Sequence, residues 1–557
     1  MLISGSKAKS CGLVAAFATA AVLVGAGAAS AADMDSMVTK APPAPAFTPP
    51  AACASLYDFF LTACPLTWNG VTFYGTVDIG GSYMTHGAPF DPNFPTGVPY
   101  IIGAGGTSGT GRLSGIFLAP NGLSQSNAGF KVKEDIGSGW SFVAQAGVAF
   151  DPYSALLSNA PATMSNAIGT AQNMETTPAD SSRWGWLADQ IYVGVSSGTY
   201  GTLTFGRQNA LENDGVVAYD PMGGSYAFSP IGFSGKTAGA GDTEDARWTT
   251  AIKYRVNIGD FRLAVMGQPI GGAEGGYNAY NPNNGAISGG IGGDIRNVVP
   301  GVISLDFIGT FEKDAVNWSM IYPGNTNVNG FPGGANPFPA DAAIKATLSN
   351  QTAFMALAKW TFGSWGNTAP PVVGKAPPAP SGPSGIPLTL YAGYEWIQFA
   401  NPSDPQTSFS DDGFLFTDPG NALTGHGAGA VGFPTAINNN SFNSLCGTGG
   451  GCGNEIFQVW WVGAKYGITR DLDIIGAYYE YIQSQYTDNV GNVCAVTTAH
   501  SQCAGTYEVA SLVLDWRFLP KWDAYIGVTY SAAFGGIATG DIATNNVATT
   551  GGVRFRF

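Results

Sequence analysis

Read along its length, the chain repeats one pattern. Segments in which apolar and polar residues alternate are separated by connections that are, in turn, short and long. Successive side chains of an extended chain point to opposite faces, so each segment has one apolar and one polar face. The segments that fit are Gly70–Tyr83, Ser126–Lys133, Trp140–Phe150, Trp186–Val195, Thr202–Gln208, Arg247–Val256, Phe261–Gln268, Val302–Phe311, Val316–Tyr322, Gln351–Phe362, Leu388–Phe399, Phe457–Tyr466, Leu472–Gln483, Thr506–Phe518, Trp522–Ser531 and Val547–Phe557. That is roughly sixteen strands, an even number. Tight connections such as Glu134–Gly139, Ser196–Tyr200, Asn257–Asp260 and Glu312–Ala315 alternate with long loops rich in Gly and Pro. One connection departs from the rhythm. The proline-rich stretch Gly363–Gly385 falls on the side of the short turns, so it is either an insertion there or a sign that the count has slipped by a pair.

The last segment is the most informative. Val547, Thr549, Gly551, Val553, Phe555 and Phe557 share one face; Ala548, Thr550, Gly552, Arg554 and Arg556 share the other. The chain ends on the aromatic residue. A soluble sheet also alternates with this period, so alternation by itself does not separate a lipid-facing barrel from a sandwich. Aromatic residues at strand ends (Trp140, Tyr254, Trp360, Trp522) add the girdles expected where a sheet crosses a lipid–water boundary. A sheet that spans lipid must close, because every backbone donor and acceptor needs a partner there. By parity the inward positions include Lys131, Lys133, Arg247, Lys253, Arg255, Arg262, Glu395, Lys465, Glu480, Arg554 and Arg556.

Composition agrees. Only 11% of residues are charged, against about 25% in soluble domains, while 12% are aromatic and Gly numbers 79. After the N-terminus no run of about 18 apolar residues offers a spanning helix. Lys7 and Lys9 precede the apolar run Gly12–Ala29 and small residues follow, which predicts a secretory signal peptide over residues 1–32. Residues 33–67 read as a Pro-rich extension, with Lys40–Pro45 repeating as Lys375–Pro380, and residues 68–557 as the barrel. A net charge of −14 argues against nucleic acid as a partner.

Beyond Cys11 in the leader, six cysteines lie in near pairs: Cys53 and Cys64, Cys446 and Cys452, Cys494 and Cys503. Export to an oxidising compartment permits disulfides, and the shortest loops close most easily, so three local disulfides are expected. No Cys-x-x-Cys spacing occurs and His86, His426 and His500 are scattered, so neither a metal nor a cofactor is expected. Gly-x-Gly patterns such as Gly137-Ser138-Gly139 lie in turns and lack the helix of a nucleotide site. No Ser/His/Asp constellation is visible, and no enzymatic activity is expected.

Several stretches resemble the general porins of Gram-negative outer membranes: Val71–Asp78 the first strand, Ala128–Trp140 the next hairpin, Gln190–Gln208 the one after it, and Val547–Phe557 the closing strand. The N-terminal cysteine pair and proline stretch are similar to those of alphaproteobacterial porins. The resemblance implies an all-β transmembrane antiparallel barrel with short periplasmic turns, long extracellular loops and a loop after the fifth strand that folds inward. It also implies outer-membrane lipid and the barrel assembly machinery as partners, and a homotrimer. The inward loop would be Asn209–Asp245, with Glu212, Asp214 and Asp220 facing the basic wall residues Lys131, Lys133, Arg247, Lys253, Arg255 and Arg262. Such opposed charges sort solutes by charge and dipole. The expected function is passive diffusion of small hydrophilic solutes and ions. A substrate-selective channel for sugars or anions, and a secreted β-rich adhesin, are the rivals.

Overall fold

A computed structural model describes residues 53–86, 107–153, 155, 189–232, 247–268, 285–321, 343–365, 383–400, 455–487, 493–494 and 504–557, apart from 109–110, 113, 537 and 539–543. Sixteen long strands form one antiparallel sheet. They are β1 (Val71–Met84), β2 (Asn127–Gly137), β3 (Trp140–Ala149), β4 (Ile191–Ser197), β5 (Gly201–Asn209), β6 (Arg247–Ile258), β7 (Phe261–Gln268) and β8 (Gly285–Arg296). Then come β9 (Val302–Ile321), β10 (Ala343–Thr361), β11 (Leu388–Ala400), β12 (Glu455–Gly467), β13 (Leu472–Gln483), β14 (Gly505–Leu519), β15 (Trp522–Gly535) and β16 (Asn545–Arg556). Each pairs with its neighbour in sequence, and β16 pairs back onto β1 from Thr76↔Arg556 to Met84↔Ala548. The sheet is therefore a closed barrel without a free edge, which satisfies the backbone in lipid.

Two short strands complete the seam. Leu66–Trp68 pairs with Val71–Phe73 below the end of β16, and Gly115–Leu118 pairs with Gly81–Met84 above the start of β2. Two small helices are present among the described residues outside the short 3-10 turn Pro230–Gly232: α1 (Leu56–Leu61) and α2 (Leu211–Tyr219).

The strand count matches the expectation, but the middle of the barrel differs. The expected strands Val302–Phe311 and Val316–Tyr322 are not a hairpin; the first, and the second as far as Ile321, belong to one long strand, β9, and Glu312–Ala315 runs through it. The segment G-A-I-S-G-G-I-G-G-D-I-R, which the pattern leaves in a loop, is β8. Glycine has weak strand propensity, but this strand is held by twelve consecutive pairings to β9, from Gly285↔Lys313 to Arg296↔Val302. The two errors cancel, so the proline-rich connection between β10 and β11 stays on the short-turn rim. Its ends meet as a small ribbon, Ser364↔Ser384 and Trp365↔Pro383, and the Trp365 indole donates to the Gly467 carbonyl at 2.9 Å.

Outward faces carry exposed apolar side chains: Ile79 and Tyr83 on β1, Val265 on β7, Ile291 on β8, Phe307 on β9, Phe354 on β10 and Ile526 on β15. Aromatic residues gather at the short-turn rim. Trp140 stacks on Tyr200, Trp360 on Phe362, and Trp522 packs on Phe555 with ring centroids 4.5 Å apart. One parity assignment is corrected. On β13 the buried, inward positions are odd-numbered (Asp473, Ile475, Ala477, Tyr479, Tyr481), so Glu480 faces outward, directly opposite Glu508 on β14. A one-residue slip in strand phase moves a side chain to the other face. Of the three expected disulfides, Cys53–Cys64 is formed. Cys446, Cys452 and Cys503, and with them the other two expected pairs, lie outside the described residues, as do the leader and most of the extension.

Candidate pore constriction

The chain leaving β5 does not return to the rim. It enters α2 and then crosses the inside of the barrel. Ala210 precedes the helix without a side-chain cap, but Glu212 and Asp214 place carboxylates in the first turn, where the helix dipole favours negative charge. Asp220 ends it. Its carboxylate accepts from the backbone N–H groups of Met222 and Gly224 at 3.2 and 2.7 Å, an Asx-type turn that redirects the chain.

The helix lies flat against β8 to β11. This needs Gly215, where a Cβ would meet Leu357, Ile308 and Met355 side-chain atoms at 2.7 to 3.3 Å. The loop is then fastened by a series of polar contacts. Trp461 on β12 donates its indole N–H to the Tyr219 carbonyl at 3.1 Å, and its ring lies over Gly393 of β11, where a Cβ would not fit. The Tyr479 hydroxyl on β13 donates to Asp220 at 2.5 Å. Lys359 on β10 donates to the Ala218 carbonyl at 3.2 Å. Farther on, Thr529 of β15 donates to the Ala227 carbonyl at 3.1 Å, Ser225 donates to the Gly122 carbonyl at 2.7 Å, and Phe228 meets the Tyr525 ring edge-on. The loop is thus a belt along the inner wall from β6 to the seam.

The three carboxylates of the predicted acidic set occupy different surroundings. Asp214 is the most exposed, its side chain 32% accessible. It accepts from Lys253 at 2.6 Å and forms a short ion pair with Arg255. Lys253 is buried and also donates to the Asn209 carbonyl, whereas Arg255 is half exposed. Glu212 and Asp220 are buried. Burial pushes the Glu212 carboxyl up to about 7; Lys253 and Ser288 oppose that shift and the charge of Asp214 adds to it. Among the described residues neither Glu212 oxygen has a well-formed hydrogen bond, and the buried Glu395 of β11 lies close enough to feel its charge. Burial also raises the Asp220 carboxyl, against the hydrogen bonds it receives.

The basic set divides as well. Lys253 and Arg255 meet the loop. Arg262 instead bridges Asp294 at 2.5 Å and Asp306 at 3.1 Å, and donates to the Tyr219 hydroxyl at 3.2 Å. Arg247 pairs with Asp189 at 2.9 Å. Lys131 and Lys133 are exposed on the inner face of β2, and Lys131 lies 4.6 Å over the Tyr74 ring. Tyr74 accepts from Gln145, which in turn accepts from Tyr192, at 3.0 and 3.1 Å.

A second charge system joins three cations that parity places inward, Lys465, Arg554 and Arg556, to Arg517, Asp473 and Asp523, which the sequence reading does not single out. Lys465 and Arg517 converge on Asp473 at 2.8 and 2.6 Å, and Arg554 and Arg556 converge on the fully buried Asp523 at 2.7 and 2.6 Å. Parity places all six groups inside. The available signal was the pairing of Asp and Arg two or so positions from short turns on adjacent strands.

The model of the Gram-negative porin family matches residues 18–369. No curated protein matches the chain by sequence. Among solved structures it is similar to the anion-selective porin from Comamonas acidovorans, at 15% identity and a TM-score of 0.46, covering 87% of this chain and 99% of that one. It is also similar to OmpT of Vibrio cholerae (10% identity, TM-score 0.44, covering 88% and 100%) and OmpF of Salmonella typhi (11%, 0.41, covering 88% and 99%). The family match extends over more than half of a chain that folds as a closed sixteen-stranded barrel with a loop laid inside it; the chain belongs to the Gram-negative porins and is an outer-membrane channel for diffusion of small solutes.

Proposed function

We propose that the channel passes small hydrophilic solutes without catalysis, through an opening bounded by α2 on one side and the β1–β5 wall on the other, and that it prefers anions. The observation that carries the reading is the unequal exposure of the charges. Glu212 and Asp220 are buried in the contact between loop and wall, where they position the loop rather than meet solute. Asp214 is the acid left at the water, and it is bridged to two cations. Lys131 and Lys133 stay exposed on the inner face of β2, and Arg255 is half exposed beside Asp214. A fixed positive excess raises the local concentration of anions, and salt screens the effect beyond roughly 8 Å at physiological strength. An anion-selective channel is therefore favoured over one selective for sugars. The barrel assembly machinery as partner and a homotrimeric assembly belong to the same reading, on family grounds.

Reversal potential across a planar bilayer under a salt gradient tests it. Replacing Lys131 and Lys133 with Gln shifts selectivity toward cations, most at low salt, and Asp214→Asn shifts it toward anions. If both variants keep the parent reversal potential at low salt, these residues do not set the field. Cross-linking in native membranes followed by gel analysis tests the trimer.

A further inference from the structure

The segment before β1 shows an arrangement that the channel reading does not use. Cys53 and Cys64 close a loop that holds α1. A loop in an aqueous compartment buries its large apolar groups or does without them. Here Leu56 is 77% exposed, Tyr57 73% and Trp68 72%, with Phe60 also exposed. All four lie within sixteen residues of chain at one place on the short-turn rim, which faces the periplasm in such barrels.

That place is on the outer side of the wall. Phe555 and Trp522 face outward by strand parity, and both meet α1. Phe59 packs edge-on against Phe555 and Phe557 at 5.6 and 5.4 Å, and Phe60 lies 5.5 Å from Phe555. Trp522 donates its indole N–H to the Phe60 carbonyl at 3.0 Å. Lys521, in the turn before β15, donates to the carbonyls of Phe59 and Cys64 at 2.9 and 2.7 Å. Trp68 is directly opposite Val71, and Leu66 opposite the exposed Phe73, so both continue the outward face of β1 downward. Thr67 points the other way and bonds Thr72.

We propose that Cys53–Trp68 is a clip seated in the periplasmic leaflet of the outer membrane, on the lipid side of the seam, with phospholipid as the partner of Leu56, Tyr57, Phe60 and Trp68. The occupant follows from continuity. Leu66 and Trp68 join the clip to the outward face of β1, on which Phe73, Ile79 and Tyr83 are exposed in turn. The cation and indole that fasten it, Lys521 and Trp522, are the residue types that favour the headgroup level. A short helix with one apolar side at that depth lies in the interface plane. The clip also covers the end of the closing strand, leaving Phe555 only 8% exposed.

Site-directed spin labelling decides the matter. In the full mature chain with Cys446, Cys452, Cys494 and Cys503 replaced by Ser and the Cys53–Cys64 bond kept, nitroxides are placed in turn by Leu56→Cys and Tyr57→Cys. Lys131→Cys reports the lumen and Ile526→Cys the lipid face. In phosphatidylethanolamine–phosphatidylglycerol vesicles, both clip positions should collide with oxygen as Ile526→Cys does. Their collisions with a water-soluble nickel chelate should fall several-fold below those of Lys131→Cys. Nickel collisions equal to those at Lys131→Cys would place the segment in water and overturn the proposal. Shielding from both reagents, with spin–spin broadening between copies, would overturn it in favour of a second chain as the occupant.

Discussion

The two sides of the lumen are built on opposite principles. On β9 to β13 the inward side chains include Met355, Leu357, Ile397, Val459, Trp461, Tyr479 and Tyr481, and all are buried. On β1 to β4 they include Tyr74, Lys131, Lys133, Gln145 and Tyr192, a mostly polar wall in which both lysines meet water. Both sets face the inside of the same barrel. The difference is that α2 and the chain after it lie on the first wall and not on the second. An inward position is therefore not polar by rule. Where a loop docks, the lumen acquires a core of its own, and burial there is driven by apolar surface removed from water.

The sharpest way to break this comparison is to truncate one anchor on each wall. Trp461→Ala removes a buried ring and the donor to the Tyr219 carbonyl. Large-to-small core changes of this kind cost about 3–5 kcal/mol, here borne mainly by loop docking because the strand ladder is unaffected. Single-channel recordings should show higher conductance with irregular fluctuation. Tyr74→Ala, on the polar wall, should leave the loop docked and the trace quiet. Equal disturbance in both variants would mean that the two walls do not differ in the way described.

That asymmetry was partly legible. The alternation carries most strands and most inward faces, because burial on one side and lipid on the other leave a period of two in the sequence; closure is legible only with the aromatic strand ends and terminal Phe557, and the count of sixteen holds because splitting β9 offsets the omission of β8. The stretch Phe457–Val462 has apolar residues on both faces, which marks a strand covered on both sides. It was the available sign of where the loop docks. β8 was missed because its strand character comes from β9 and β7 pairing with it, not from its own glycines. Glu480 is not legible because Leu472–Gln483 carries apolar and aromatic residues on both faces, Ile474 and Tyr478 on one and Ile475 and Tyr479 on the other, so the pattern does not say which face is inward. Asp214, Lys253 and Arg255 do come together, but burial of Glu212 and Asp220 depends on how far the loop travels along the wall, which no local pattern encodes.

A second variant sharpens the contrast by testing how the lumen is held below the loop, where ion pairs replace apolar contacts. Asp523 is fully buried between Arg554 and Arg556. Asp523→Ala leaves a largely buried Arg554 without its main partner, a loss on the order of 3 kcal/mol. The transition from folded to unfolded mobility on heating should move to lower temperature, while conductance at room temperature stays near the parent value. Restored heat stability in Asp523→Glu would show that charge, not side-chain size, is what matters. An altered conductance with unchanged heat stability would mean that Asp523 acts on the loop instead.

The smallest effect concerns the buried acid under the helix. The Glu212 carboxyl is raised to about 7 by burial, from an ordinary value of 4.5. The groups facing it are Lys253 from β6, Ser288 from β8, Glu395 from β11 and Asp214 from its own helix. With the docked value above the undocked one, docking takes up a proton between these two pH values. Its contribution is fully present below pH 4.5, declines as pH rises toward 7, and is lost above that. The docking equilibrium should weaken by at most about tenfold per pH unit within the window. Closed-loop dwell times in bilayer recordings should therefore shorten from pH 5 to pH 8. Glu212→Gln imitates the protonated acid and should hold dwell times long across the range. If Glu212→Gln keeps the parent pH dependence, another group titrates, and Asp220, the buried carboxyl at the other end of α2 that burial also raises, is then the one to replace.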